Sequence, residues 1–265
     1  MWLREHRRKK ILETPFPTEW LDMLRDNCAH YAQLTSVEQA ALRDLIQVFV
    51  AEKRWEGCGG LEMTDEIRVT IAADACLMIL ALPHDLYRKV DDILVYPSTV
   101  VRPPRPIGFF EVTRSPLAGG IPILGEAHGH GPIILTWNAV RHGARHPEHG
   151  HNVVFHELAH ALDMLDHHAD GTPLLDGRAD YTRWASVLNA SFITLREHAA
   201  RAEPSVLDAY GATNEAEFFA VATEAFFSIP VRLRSAEPEL YEVLAAFYRQ
   251  DPAARHASSA TDAHA

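Results

Sequence analysis

The sequence has only three cysteines, Cys28, Cys58 and Cys76. They are odd in number, widely spaced and nowhere arranged as CxxC, which excludes a disulfide framework and a thiolate metal site and points to reduced thiols. No run of about 18 apolar residues occurs, so no membrane-spanning helix is expected. The charged N-terminus lacks the apolar segment and small-residue cleavage site of a signal peptide, and a cytoplasmic protein is expected. Positive charge is also scarce: 25 lysines and arginines stand against 36 acids, a formal charge of -11. Most of such a surface would repel phosphate, which argues against nucleic-acid binding. The basic run from Arg4 to Lys10 is the exception. It reads as a solvated arm, with an anionic-lipid or nucleic-acid contact as the alternative.

Apolar residues are plentiful, and 265 residues are enough for one large core. A single domain over 1–265 is expected, with a helical part at about 15–55, a core at about 60–252 and a frayed tail at 253–265. Ser36-Val-Glu-Gln opens a run with Leu42, Leu45, Ile46 and Phe49 at helical spacing. After a glycine turn at Trp55 to Gly60, Thr64 is placed to cap a helix with Asp65 and Glu66 in its first turn. Strand patterns follow at Ile93 to Pro97, Gly108 to Thr113 and Pro132 to Trp137. They predict a small mixed sheet in a mostly helical α+β fold, with Gly131 to Trp137 either a candidate peptide-binding edge or structural sheet alone. Helical spacing returns from Arg178 to about Arg201.

The chemistry gathers in His156-Glu157-Leu-Ala-His160. Histidines four apart lie one helical turn from each other, so both rings can reach one ion while Glu157 faces water at that ion. The surrounding Val153, Val154, Phe155, Leu158, Ala159 and Leu162 leave almost no other polar face, as in a buried active-site helix of a zinc peptidase. The plain alternative is a pair of core histidines satisfied by hydrogen bonds. Further histidines, His128, His130, His142, His146, His149, His151, His167 and His168, have no rigid element to fix their spacing and read as loop residues.

A catalytic zinc takes a third protein ligand. In the pattern HExxHxxGxxH it would be Asp166, but Asp163 replaces the glycine that makes the necessary turn. Downstream, Tyr210-Gly-Ala-Thr-Asn214-Glu215-Ala-Glu217 leads into a helix whose Phe218, Phe219, Val221, Ala222 and Phe226 cover most of its surface. A carboxylate on so apolar a helix is costly unless it is paired or bound to a cation, which favours Glu217. Its alternative role is a capping box with Asn214, and Glu215 reads as solvated. Tyr210 can offer a phenol donor to a tetrahedral oxyanion, and Glu224 or Asp163 can orient a ligand imidazole.

These residues resemble the catalytic core of anthrax lethal factor. A longer match, from Pro15-Phe-Pro through Phe49 to Gly60, Asp65 to Ala73, Ile93 to Ser98, His156 to Asp163 and Phe247 to Pro252, resembles the Mlc titration factor A family of bacterial zinc peptidases. That resemblance implies a zincin-type, lethal-factor-like α+β fold and aminopeptidase-like cleavage of short peptides. It implies Zn2+ on His156, His160 and Glu217, with Glu157 and Tyr210 catalytic. It also implies an alternative function, sequestration of a transcriptional repressor of the Mlc type that controls sugar uptake.

Overall fold

The computed structural model describes residues 2–83, 85–98 and 131–256. Its N-terminal region forms helices α1 (Trp2–Leu12), α2 (Thr18–Asn27) and α3 (Ser36–Glu52). α3 begins at a reciprocal cap: Thr35 accepts the Glu38 N–H while the Glu38 carboxylate accepts the Thr35 N–H. The basic run is not a free arm. It is helical, and Arg8 grips both carboxylate oxygens of Glu52 at 2.8 Å and reaches Asp85 at 3.2 Å. Docking against α3 supplies the partners that sequence spacing alone does not reveal.

Strand β1 (Arg54–Gly57) occupies the start of the stretch expected to be only a break. The turn follows at Gly59 and Gly60, whose φ angles of +61° and +84° suit glycine. Helix α4 (Asp65–Met78) then opens on Thr64, which accepts the Ile67 N–H, and is buried throughout from Val69 to Met78. Strands β2 (Asp92–Tyr96) and β3 (Ile133–Thr136) complete a sheet of order β1-β2-β3. Both observed pairings are parallel, with Trp55 opposite Ile93 and Ile93 opposite Ile133, where a mixed sheet was expected. Parallel neighbours require a crossover, and α4 provides it between β1 and β2. The predicted strand Gly108 to Thr113 lies outside the described residues.

Helices α5 (Trp137–Arg145), α6 (Val153–Asp163), α7 (Arg178–Ala200), α8 (Glu215–Ser228), α9 (Pro230–Ala236) and α10 (Pro238–Tyr248) form the remainder. α5 replaces part of the expected histidine loop. Its buried face is Val140, Gly143 and Ala144. α6 and α8 pack against each other, joined by Phe155 and Phe227 with ring centroids 5.0 Å apart. One continuous apolar cluster runs from these two helices into α3, α4, the sheet and α10.

The segment after α6 is tied to the start of α8 by a close backbone crossing at Gly171. Its φ is +76°, and a Cβ there would lie 2.4 Å from the Glu215 carbonyl oxygen. At the C-terminal end, the expected fraying does not begin at residue 253. Ala253 is fully buried, and the Arg255 guanidinium holds Glu38 at 2.6 Å and Gln250 at 3.0 Å. All three cysteines are free thiols, as their spacing predicted. Among the described residues, no helix is long and apolar enough to cross a membrane.

Candidate metal centre

α6 starts at Asn152, whose side-chain oxygen accepts the N–H groups of Val154 at 2.9 Å and Phe155 at 3.2 Å. With the first turn fixed in this way, Val154, Phe155, Leu158 and Leu162 turn into the core, and His156 and His160 share a less buried face. α8 crosses that face. Its N-cap Asn214 accepts the Glu217 N–H at 2.9 Å, which is half of the capping box considered above. The Glu217 carboxylate does not close the box. It reaches across to the two histidines.

Three donor atoms thereby form a small triangle. His156 Nε2 lies 3.1 Å from Glu217 Oε2 and 3.3 Å from His160 Nε2, and His160 Nε2 lies 3.4 Å from Glu217 Oε2. Tetrahedral ligands around zinc, with bonds near 2.1 Å, stand about 3.4 Å apart. His156, His160 and Glu217 are the residues that meet the geometric requirement for a shared ion among the described residues. The imidazole side chains are 14% and 15% exposed and the carboxylate 8%, so the triangle is sheltered yet reachable.

The surroundings favour a cation at this point. Glu224 Oε1 sits 2.8 Å from His156 Nδ1, so a proton on Nδ1 turns the Nε2 lone pair toward the Glu217 carboxylate. Two such acceptors repel unless positive charge stands between them, and the donor set therefore fits a metal ion. A proton on Nε2 can supply the same positive charge. Burial lowers the His156 pKa, but hydrogen bonds to Glu217 and Glu224 outweigh it and push it up to about 10. Burial raises that of Glu217, but its hydrogen bonds with His156 and His160 bring it down to about 2.

Glu157 follows His156 on α6. Burial raises its carboxyl above the ordinary glutamate value against the opposing charges of His156 and His160. Tyr210 lies on a 3-10 turn, Ala209–Ala212, fixed by the Asp208 carboxylate accepting the Tyr210 N–H at 2.7 Å. Its ring centroid is 6.0 Å from that of His156. Burial, the charge of Glu217 and a hydrogen bond to that carboxylate push its phenol up to about 12, which keeps it protonated at neutral pH.

Other sequence candidates lie elsewhere. Asp166 ends a 3-10 turn after α6 and accepts the His168 N–H, and Glu215 is exposed. Of the two proposed orienting acids, Glu224 contacts His156, whereas Asp163 accepts the N–H groups of Gly171 at 3.0 Å and Thr172 at 2.7 Å. His142, His146 and His149 form an exposed stack on α5 and the following turn. His151 lies 3.6 Å from Asp208, and His167 closes the turn after α6 with φ +75°. His128 and His130 lie outside the described residues.

Two residues that support the centre went unrecognised in the sequence. The backbone N–H of Asn152 donates to Glu224 Oε2 at 2.6 Å, and its side-chain amide donates to Asp74 Oδ2 at 2.7 Å. Asn152 thus joins α4, α6 and the acid behind His156. Its signal was an Asn directly before an apolar helical run. For Asp74, it was an acid inside an otherwise apolar helix, and burial pushes its carboxyl up to about 7.

A helix bearing two histidines, joined by a glutamate from the helix packed on it, places the molecule among mostly helical α+β proteins with a candidate mononuclear metal centre. Sequence comparison supplies the family. Residues 2–249 match the model of the Glucose-regulated metallo-peptidase M90 family. The uncharacterized protein slr2042 of Synechocystis sp. is 37% identical over 254 residues, covering 95% of this chain and 90% of its own. Mlc titration factor A of Salmonella gallinarum is 33% identical over 86% of this chain and 85% of its own length. Mlc titration factor A of Klebsiella pneumoniae is 32% identical, covering 84% and 83%. The chain belongs to the glucose-regulated metallo-peptidase M90 family, and a metallopeptidase family implies a metal ion.

Proposed function

We propose that the chain is a single-domain zinc peptidase of lethal-factor-like architecture that acts in the cytoplasm on short peptides in an aminopeptidase-like manner. The observation that carries this reading is the donor triangle of His156, His160 and Glu217, braced by Glu224. In it, these three residues hold zinc. When bound, zinc polarises the scissile carbonyl and makes water at the site more acidic.

The protein's own groups then move the protons. Glu157, whose carboxyl is shifted toward neutrality by burial, takes a proton from the attacking water onto a carboxylate oxygen and returns it to the leaving amine. Tyr210 keeps its phenolic proton and donates a hydrogen bond as negative charge develops on the substrate oxygen. β3 is an edge strand among the described residues and packs against α6, so an extended peptide can add to it by main-chain hydrogen bonds. The test is hydrolysis of a library of short peptides by zinc-loaded protein. Glu157→Gln should keep its zinc and lose about 100-fold or more in turnover. Near-native turnover would rule out Glu157 as the base.

A second reading rests on the relatives named Mlc titration factor A. In it, the chain sequesters an Mlc-type transcriptional repressor through surface away from the metal centre. Recovery of an intact repressor from lysate, equally by native and Glu157→Gln protein, supports sequestration. Clipped proteins obtained with the native form alone support proteolysis.

A further inference from the structure

A cavity of about 370 Å³ lies between α1, the end of α3 and the turn through residues 85–91. Arg4, Arg7, Arg8, Lys53 and Arg88 stand on its wall. The acids there are Glu52 and Asp91, so the lining carries an excess of positive charge on a chain of formal charge -11. An isolated positive concavity on an acidic protein gathers small anions.

The cations differ in how fully they are engaged. Arg8 is held by both oxygens of Glu52 at 2.8 Å, which neutralises that acid. Lys53 Nζ donates to the carbonyl oxygens of Tyr87 and Val90, each at 2.7 Å. Three arginines remain. Arg7 makes a long 3.4 Å contact with the Ala51 carbonyl, and Arg4 reaches Asp85 at 3.8 Å. The Arg88 guanidinium has no partner among the described residues. Arg4, Arg7 and Arg8 share one face of α1, being three and four residues apart. Phe49 and Tyr87, both buried, pack edge to face behind the cavity with ring centroids 5.9 Å apart.

We propose that this cavity binds a small phosphate ester, with its dianion between Arg4, Arg7 and Arg88. Planar guanidinium forks match phosphate oxygens in pairs. The volume lies near the lower end of the roughly 300–1,000 Å³ range of small-molecule cavities, which suits a monoester better than a polymer. The basic run of the sequence thereby gains a role as one wall of a binding site.

The test is titration of the full-length protein with phenyl phosphate, followed by calorimetry and 31P NMR. Binding should persist in His156→Ala, which disables the candidate metal centre as a competing phosphate site. It should weaken at least about tenfold in the Arg7→Ala/Arg88→Ala double variant and, to a lesser degree, in Arg88→Gln, with unfolding temperatures reporting whether each variant is folded. Loss of binding in His156→Ala with retention in folded arginine variants assigns the ester to the metal centre and overturns the proposal. So does an absence of binding by the native protein at millimolar ester. Co-sedimentation with phosphatidic-acid vesicles without binding of the soluble ester equally overturns it.

Discussion

Two groups of histidines on neighbouring elements make an internal comparison. His142, His146 and His149 are exposed, with ring centroids 5.0 to 5.7 Å apart and one pair of ring nitrogens, on His142 and His149, at 2.9 Å. His156 and His160 are sheltered, converge with Glu217, and have an acid behind one ring. Both groups place imidazoles near one another. The difference lies in what fixes them: His156 is clamped through Glu224 and Asn152 to three helices, whereas the exposed stack leans on Glu148 at the surface. Nitrogen atoms alone make a sticky patch, and a preorganised second layer makes a centre.

That contrast can be broken most sharply by removing ligands. His156→Ala should abolish tightly held metal and peptide hydrolysis, while His142→Ala/His149→Ala should leave both within about twofold of native. Metal analysis after extensive dialysis against a weak chelator reads the difference, and a reversed result would move the centre to the exposed stack. Next in size is Tyr210→Phe. Turnover should fall by about 10- to 1000-fold with KM little changed, because the phenol acts as charge develops. A raised KM with native kcat would make it a substrate-binding group.

A smaller effect concerns the brace. Glu224→Gln should keep the fold and lower metal affinity by about 10- to 100-fold, since the amide orients His156 less strongly. Competition with a fluorescent chelator measures this, and native affinity would show the brace to be idle. The smallest effect is on stability. Burial raises the folded-state pKa of Asp74 to about 7 from an ordinary value of 3.8. The folded state therefore binds the extra proton between those values, and stability from this group, full at low pH, is lost as pH rises through about 7. Asp74→Asn removes that loss and can still accept from Asn152. Relative to native, it should gain about 1–3 kcal/mol at pH 7.5 and little at pH 4. Calorimetric unfolding at several pH values checks this, and a gain independent of pH would refute the assignment.

The comparison also explains what the sequence made legible. α6 and α8 were readable because their motif residues interrupt an otherwise apolar surface, and Thr64 announced α4 through its own local cap. The candidate centre's residues stood out by the same logic, with Glu217 conspicuous as a carboxylate among phenylalanines. Features set by distant contacts were hidden. α1 depends on Glu52 and Asp85, and the parallel sense of the sheet depends on a crossover. β1 has four residues and includes a glutamate and a glycine, giving too short a pattern to read. Asn152 was visible only as a polar residue until α4 and α8 brought Asp74 and Glu224 to it.

Gly171 carries a consequence for engineering. The backbone there passes so close to Glu215 that even a methyl group must force this loop and the first turn of α8 apart, two residues ahead of Glu217. The two histidines ride on α6, whose Asp163 accepts the Gly171 N–H. A substitution outside the centre thus acts as a shim between two jaws, widening the ligand bite without altering any ligand. Ions with longer bonds would then be favoured over those with shorter ones. Transplanting the five-residue histidine motif into another scaffold would leave this spacer behind, and with it the setting of the jaws.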